Sequence, residues 1–217
     1  MSGHKDMLAT FRFCFGFVLA LTVAAAALDH ADAATAVGKV SRLVGSAEGT
    51  TEGTTQALAA GAVVHMDDLI STSAAARLEI GFDDGSMLRI GEKARIRIDR
   101  FVYQPEGSTN LLQLAVEGPF RFISGKLTKI AGNEASVTTP FAVIGIRGTD
   151  FWSGPIDGAF GVLLLEGAVS VTNNAGTVSL TVPGQGANLT GPDQALGAVT
   201  IWPQDKVARA LGAVAFP

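Results

Sequence analysis

Apolar and polar residues alternate along one segment of this chain after another, and a period of two is the pattern that an amphipathic helix cannot satisfy. Ala76-Arg77-Leu78-Glu79-Ile80-Gly81-Phe82 alternates, Asp83-Asp84-Gly85-Ser86 supplies a turn, and Met87 to Ile90 continues. Ala94 to Asp99, Leu112 to Val116, Phe120 to Phe122 and Val178 to Val182 repeat the pattern. Phe160 to Leu165 is instead an unbroken apolar run, the mark of a strand covered on both faces. The 26 glycines and 17% charged residues suit short strands joined by tight turns. Helical spacing is found once, where Pro203 suits a first helical position and Val207, Ala210 and Leu211 share a face before Gly212. Gly45 to Gln56 reads as a polar loop or wide hairpin tip, and Pro105 to Asn110 as a second weak spot. Two passages echo each other: Val116 to Phe122 and Leu165 to Val171 share the order apolar, Glu, Gly, small, apolar, polar, apolar. The prediction is an all-β fold of many short strands, an elongated β-sandwich or a flattened β-solenoid, with a short C-terminal helix. Both architectures give these signals, and both stay open at this point.

The first residues read differently. Lys5 and Arg12 mark a weakly basic start, Phe13 to Leu28 is apolar, and Ala31-Asp32-Ala33 places small residues where a signal peptidase reads. Residues 1–33 are therefore expected to be a signal peptide cleaved after Ala33, with a periplasmic or secreted product and no stable membrane insertion after cleavage. An uncleaved anchor is the rival reading, because Phe13 to Leu28 is close to the shortest run that spans a bilayer. Cys14, the only cysteine, lies at the start of the apolar run and not at its end, which argues against a lipoprotein. Its removal would exclude thiol chemistry and thiolate metal sites. Taking the leader's two basic and three acidic residues from totals of 16 and 20 leaves a net charge of −3. That weak balance gives no electrostatic footprint for nucleic acid.

Thr138 to Trp152 reads as a buried strand interrupted by turn glycines, with Arg147 and Asp150 enclosed among apolar or small residues. A guanidinium there needs acceptors, and the aspartate three residues on, across Gly148-Thr149, is the nearest candidate. The segment resembles the signature of the FecR-domain family, an extended "T-P-x-A-x-x-x-x-R-G-T-x-F" met by Thr139, Pro140, Ala142, Arg147, Gly148, Thr149 and Phe151. Gly61 to Phe101 is similar to the family's earlier section, and Leu165 to Val171 with Val182 to Gly186 to its closing "E-G-x-V-x-V" and "G-Q" elements. The resemblance runs over roughly residues 37 to 190, giving an expected FecR-like β domain over 34–190 and a C-terminal extension with a short helix over 191–217. Thr139, Pro140, Arg147, Gly148, Thr149, Asp150 and Phe151 are expected to act structurally, Arg147 as a staple between layers; a ligand-binding Arg147 is the alternative. Relatives in that family are typically membrane-spanning signal transducers with a cytoplasmic anti-sigma region and a periplasmic FecR domain that senses an outer-membrane receptor. The few residues ahead of the apolar run here are too few for a sigma-binding region, so the resemblance implies a stand-alone exported FecR domain.

Catalytic constellations are missing from the sequence. After cleavage His65 is the only histidine, and no nucleophile elbow, metal-binding helix motif or phosphate loop occurs. His65 beside Asp67-Asp68 could ligate a metal but reads as a solvated turn, and Asp83-Asp84 reads as a turn former without calcium-loop spacing. Asn188-Leu189-Thr190 matches a glycosylation sequon that matters only in a glycosylating host, and Gly184-Gln185-Gly186 is a turn and not a dinucleotide loop. No cofactor, metal site or enzymatic activity is expected. The function expected is a non-catalytic module that binds a protein partner in the cell envelope and serves signalling there; an extracellular structural or glycan-associated β protein is the alternative.

Overall fold

A computed structural model describes residues 34–104, 110–129 and 132–217. The expected signal peptide, residues 1–33, and most of the Pro105 to Asn110 segment lie outside them. Residues 34–217 form one compact unit. Its strands are β1 (Ala36–Val44), β2 (Ala47–Thr51), β3 (Thr54–Ala57), β4 (Val63–His65), β5 (Leu69–Thr72), β6 (Arg77–Phe82), β7 (Met87–Ile90) and β8 (Arg95–Val102). They continue with β9 (Leu111–Glu117), β10 (Phe120–Ile123), β11 (Glu134–Thr138), β12 (Val143–Ile156), β13 (Ala159–Asn173), β14 (Gly176–Leu180), β15 (Gln185–Leu189) and β16 (Thr200–Ile201). One helix, α1 (Gln204–Gly212), closes the chain.

A single hydrogen-bonded ladder runs β3-β2-β5-β8-β9-β11-β12-β10-β7-β6-β1-β4. β12 stands at its centre because the first half of one edge, Val143 to Gly145, pairs with β11, and the second half, Asp150 to Ser153, pairs with β10. β13 lies along the other edge and hands its two halves on to β15 and β14. The ladder curls so that its two arms face each other over one core. Leu78, Ile80, Leu88, Ile90, Phe120 and Phe122 come from one arm, and Ile70, Ile96, Ile98, Leu112, Leu114 and Val137 from the other. Phe82 of β6 stacks on Phe101 of β8 across the gap, with ring centroids 5.6 Å apart. The alternation seen in the sequence has become burial: β6 and β9 bury every second side chain. Sandwich and solenoid both contribute. All pairings are antiparallel except β9 with β11, which run parallel because β10 crosses to the opposite arm between them.

β13 explains the unbroken apolar run. Val162 and Leu164 enter the main core, whereas Leu163 faces a second cluster made with Trp152, Ile156, Trp202, Ala210 and Val214. The chain after β15 therefore packs on the outer face of the sheet, and Trp202 lies flat where Gly161 and Gly186 leave room. A Cβ at Gly186 would stand only 2.3 Å from its indole. Pro203 is the N-cap residue and not the first helical position, a shift of one residue.

Two further expectations change. Gly45 to Gln56 is a β-hairpin, β2 and β3 meeting at Glu52-Gly53, both with positive φ. Thr138 to Trp152 is not an interrupted strand: a turn over Thr139 to Ala142 leads into β12, which continues through the glycines to Ile156. No helix among the described residues is long and apolar enough to cross a membrane.

Candidate functional site

The signature segment begins with a turn that Thr139 ties together. Its buried hydroxyl accepts the N–H groups of Phe141 (3.3 Å) and Ala142 (3.0 Å) and donates to the carbonyl of Ala142 (2.8 Å). Pro140 presets the backbone for the bend, and Phe141 stacks on Phe160 at 4.9 Å. Five residues on, the register between β12 and β13 slips at Arg147 to Asp150. Gly148 (φ 58°) and Gly167 (φ 79°) face each other in this bulge, and a Cβ on Gly167 would lie 2.1 Å from the carbonyl oxygen of Gly148. Only glycine fits there. Thr149 is held by a reciprocal pair, its N–H donating to Ser124 Oγ (2.8 Å) and its carbonyl accepting the N–H of Ser124 (2.8 Å).

The expected Arg147–Asp150 pair does not form. Arg147 is exposed, while both oxygens of Asp150 accept from Arg121, at 2.8 Å from Nε and 2.5 Å from Nη2. Hydrogen bonding to Asp150 holds the Arg121 guanidinium above its ordinary pKa. The physical reason is extension: the bulge bends the strand without folding it back, so residues i and i+3 stay roughly 10 Å apart along it. Arg121 reaches Asp150 because Ile123 is directly opposite Asp150 in the ladder, which makes Arg121 a diagonal neighbour. Arg121 also continues a charged row across the outer face, beside Arg89, which bonds Glu79 at 2.6 Å. The sequence reading missed Arg121; the Phe-Arg-Phe alternation on β10 was the available signal. Phe151, fully buried, meets Phe120 edge-on at 5.7 Å.

The aspartates expected in turns are in turns, but one of each pair is buried. Asp84 accepts from the N–H (2.9 Å) and hydroxyl (2.7 Å) of Ser86 and from the N–H of Leu127 (3.3 Å). That bonding ties the β6–β7 turn to the segment after β10. Asp68 accepts from Thr51 Oγ1 (2.5 Å) and the N–H of His65 (2.7 Å), while Asp67 makes the bend with φ 65°. His65 Nδ1 lies 3.6 Å from Asp68, and the histidine side chain is partly buried, 26% exposed. No group of three metal-ligating side chains occurs among the described residues.

Arg147 instead faces an open groove of about 530 Å³ on the outer side of β11 to β14. Glu134, Ser136, Gly145, Ser170 and Ser179 also line it. A cross-strand row of small residues, Ser136, Gly145, Ser170 and Ser179, makes its floor flat. The signature thus divides: Thr139, Gly148, Thr149, Asp150 and Phe151 hold the corner of the sheet, and Arg147 projects from it.

A curled β domain with a glycine bulge at the corner of its two longest strands is the class of molecule described so far. Residues 68–170 match the family model described as FecR protein. The match starts at the buried Asp68 and ends within β13. Two crystal structures of a candidate anti-sigma factor from Parabacteroides distasonis share the fold, at 18% and 17% sequence identity, each with a TM-score of 0.52. The similarity covers 66% of this chain and 64% and 63% of theirs, so it spans less than two thirds of those proteins. Comparison with curated proteins gives no match.

Proposed function

We propose that this protein is an exported, non-catalytic FecR module that binds a protein partner in the cell envelope and takes part in signalling there. The observation that carries the reading is the FecR match itself, whose polar signature residues other than Arg147 are engaged in holding the fold. Thr139 through its hydroxyl, Thr149 through its main chain and Asp150 through its carboxylate bond inward or along the sheet, and none of these three sets a nucleophile beside a base. What the domain offers outward is surface: the Arg147 groove, the β2–β3 hairpin and the free edges of the ladder. The likeness to a candidate anti-sigma factor supports a signalling context, and the apolar leader with its Ala-x-Ala site supports export.

Crosslinking in living cells, followed by mass spectrometry, tests this. An envelope receptor or membrane regulator, crosslinked by the wild type and lost on Arg147→Glu, is the expected outcome. Recovery only with wall or exopolysaccharide material would overturn it in favour of a structural role.

A further inference from the structure

The free edge of β14 is unguarded. From Gly167 to Pro192 the chain has no Asp, Glu, Lys, Arg or His, and β14 lies in the middle of that stretch, pairing on one side only, with β13. Soluble proteins blunt such edges with charge, proline or a bulge. The five residues of β14, Gly-Thr-Val-Ser-Leu, contain none of these.

The main-chain groups still available fix one register. Asn173 and Gly176 close a two-residue hairpin, so main-chain groups alternate toward and away from β13, and those of Thr177 and Ser179 point outward. The next outward groups on either side are engaged. The N–H of Ala175 donates to Asn173 Oδ1 (2.9 Å), and the N–H groups of Thr181 and Val182 donate to Gln185 Oε1 (2.8 and 3.0 Å). An antiparallel copy centred on Val178 sets Thr177 against Ser179 of the second copy and uses only groups without another hydrogen bond among the described residues. Centring on Thr177 or Ser179 would require Ala175 or Thr181. The side chains agree with this register. The exposed hydroxyls of Thr177 and Ser179 fall on one face, and the half-buried Val178 meets its own copy on the other. Thr172 and Thr177 already make such a cross-strand hydroxyl contact, at 3.0 Å, within the chain.

We propose that β14 is a homotypic docking edge, at which two copies of this chain pair β14 to β14, antiparallel about a two-fold axis through Val178, and join their ladders into one sheet. The inference rests on the edge alone and is independent of the signalling reading. The full chain, purified as its host delivers it, is followed by light scattering and sedimentation over a concentration series. A mass rising to that of two chains is expected. Ser179→Pro removes one outward N–H at an edge that tolerates proline, and Thr177→Lys places a charge there; each should weaken self-association at least about tenfold while leaving the thermal melt unchanged. If Ser179→Pro fails to fold, Thr177→Lys decides. A single-chain mass at every concentration, or a dimer that survives Thr177→Lys, overturns the proposal.

Discussion

Arg121 and Arg147 separate what a motif contains from what a charge does. Arg121 forms two bonds to one partly buried carboxylate, and its loss leaves Asp150 without its cation, so Arg121→Ala should cost about 1–3 kcal/mol in urea unfolding. Arg147 projects into a groove open to solvent, and Arg147→Ala should stay within about 0.5 kcal/mol of the wild type. The reverse ranking would restore Arg147 as a staple. The sequence made Arg147 conspicuous because its neighbours are apolar, but in a strand those neighbours alternate between faces. A charge enclosed in sequence can stand fully outside the fold. Partners in a sheet are chosen across strands, and the diagonal from Arg121 to Asp150 could be read only once the β10–β12 register was known.

At the scale of elements, alternation carried most of the information. β6, β7, β9 and β10 fall within a residue or two of where it put them, and the apolar run inside β13 is covered on both faces as expected. The β2–β3 hairpin was less legible, because its threonines satisfy each other across the strands (Thr50 to Thr55, 2.8 Å) and bury little. The C-terminal segment is the element most open to test. Trp202 is nearly buried against Trp152, with Lys206 Nζ 4.0 Å from its ring, and Trp202→Ala should cost about 3–5 kcal/mol and raise hydrogen exchange throughout α1. Unchanged exchange there would mean that the helix docks without its anchor. Hydrogen bonding to Arg209 lowers the pKa of the exposed Asp205 carboxyl. A lowered folded pKa contributes stability that is present above the unfolded value, near 4, and lost as pH falls through the folded one. Acid loosening of α1, followed by tryptophan fluorescence, should therefore be confined to below about pH 4. Asp205→Asn should weaken that response without abolishing it, because Asp157 also accepts from Arg209 at 3.1 Å, and loosening at neutral pH would contradict it.

For the whole molecule, the sequence announced an all-β chain but left sandwich and solenoid unresolved, for a reason the topology makes plain. The β9–β10–β11 crossover is a solenoid turn set inside a two-armed sheet, so both signals were present together. The domain is also wider than its family match, since β1 to β4 and β14 onward share its core or outer face although they lie outside residues 68–170. If residues 1–33 are a leader, N-terminal sequencing of the mature protein should begin at Ala34, and an intact chain extractable only with detergent would refute export. The corner formed by β12 and β13 has a bearing on how such a chain comes into being. Both arms hang from β12, which β13 backs, yet these two strands come late in the chain, so a ribosome releases β1 to β11 before the spine that joins them exists. Until Asn173 has emerged, each arm can pair within itself, but the edges of β10 and β11 stay open and the apolar faces have nothing central to close on. The hairpin turning at Asp157-Gly158 then forms from neighbours in sequence, the fastest kind of β contact, and both arms can close on it. Completion is thus withheld until most of the chain is available, an order of events that would fit the proposed export.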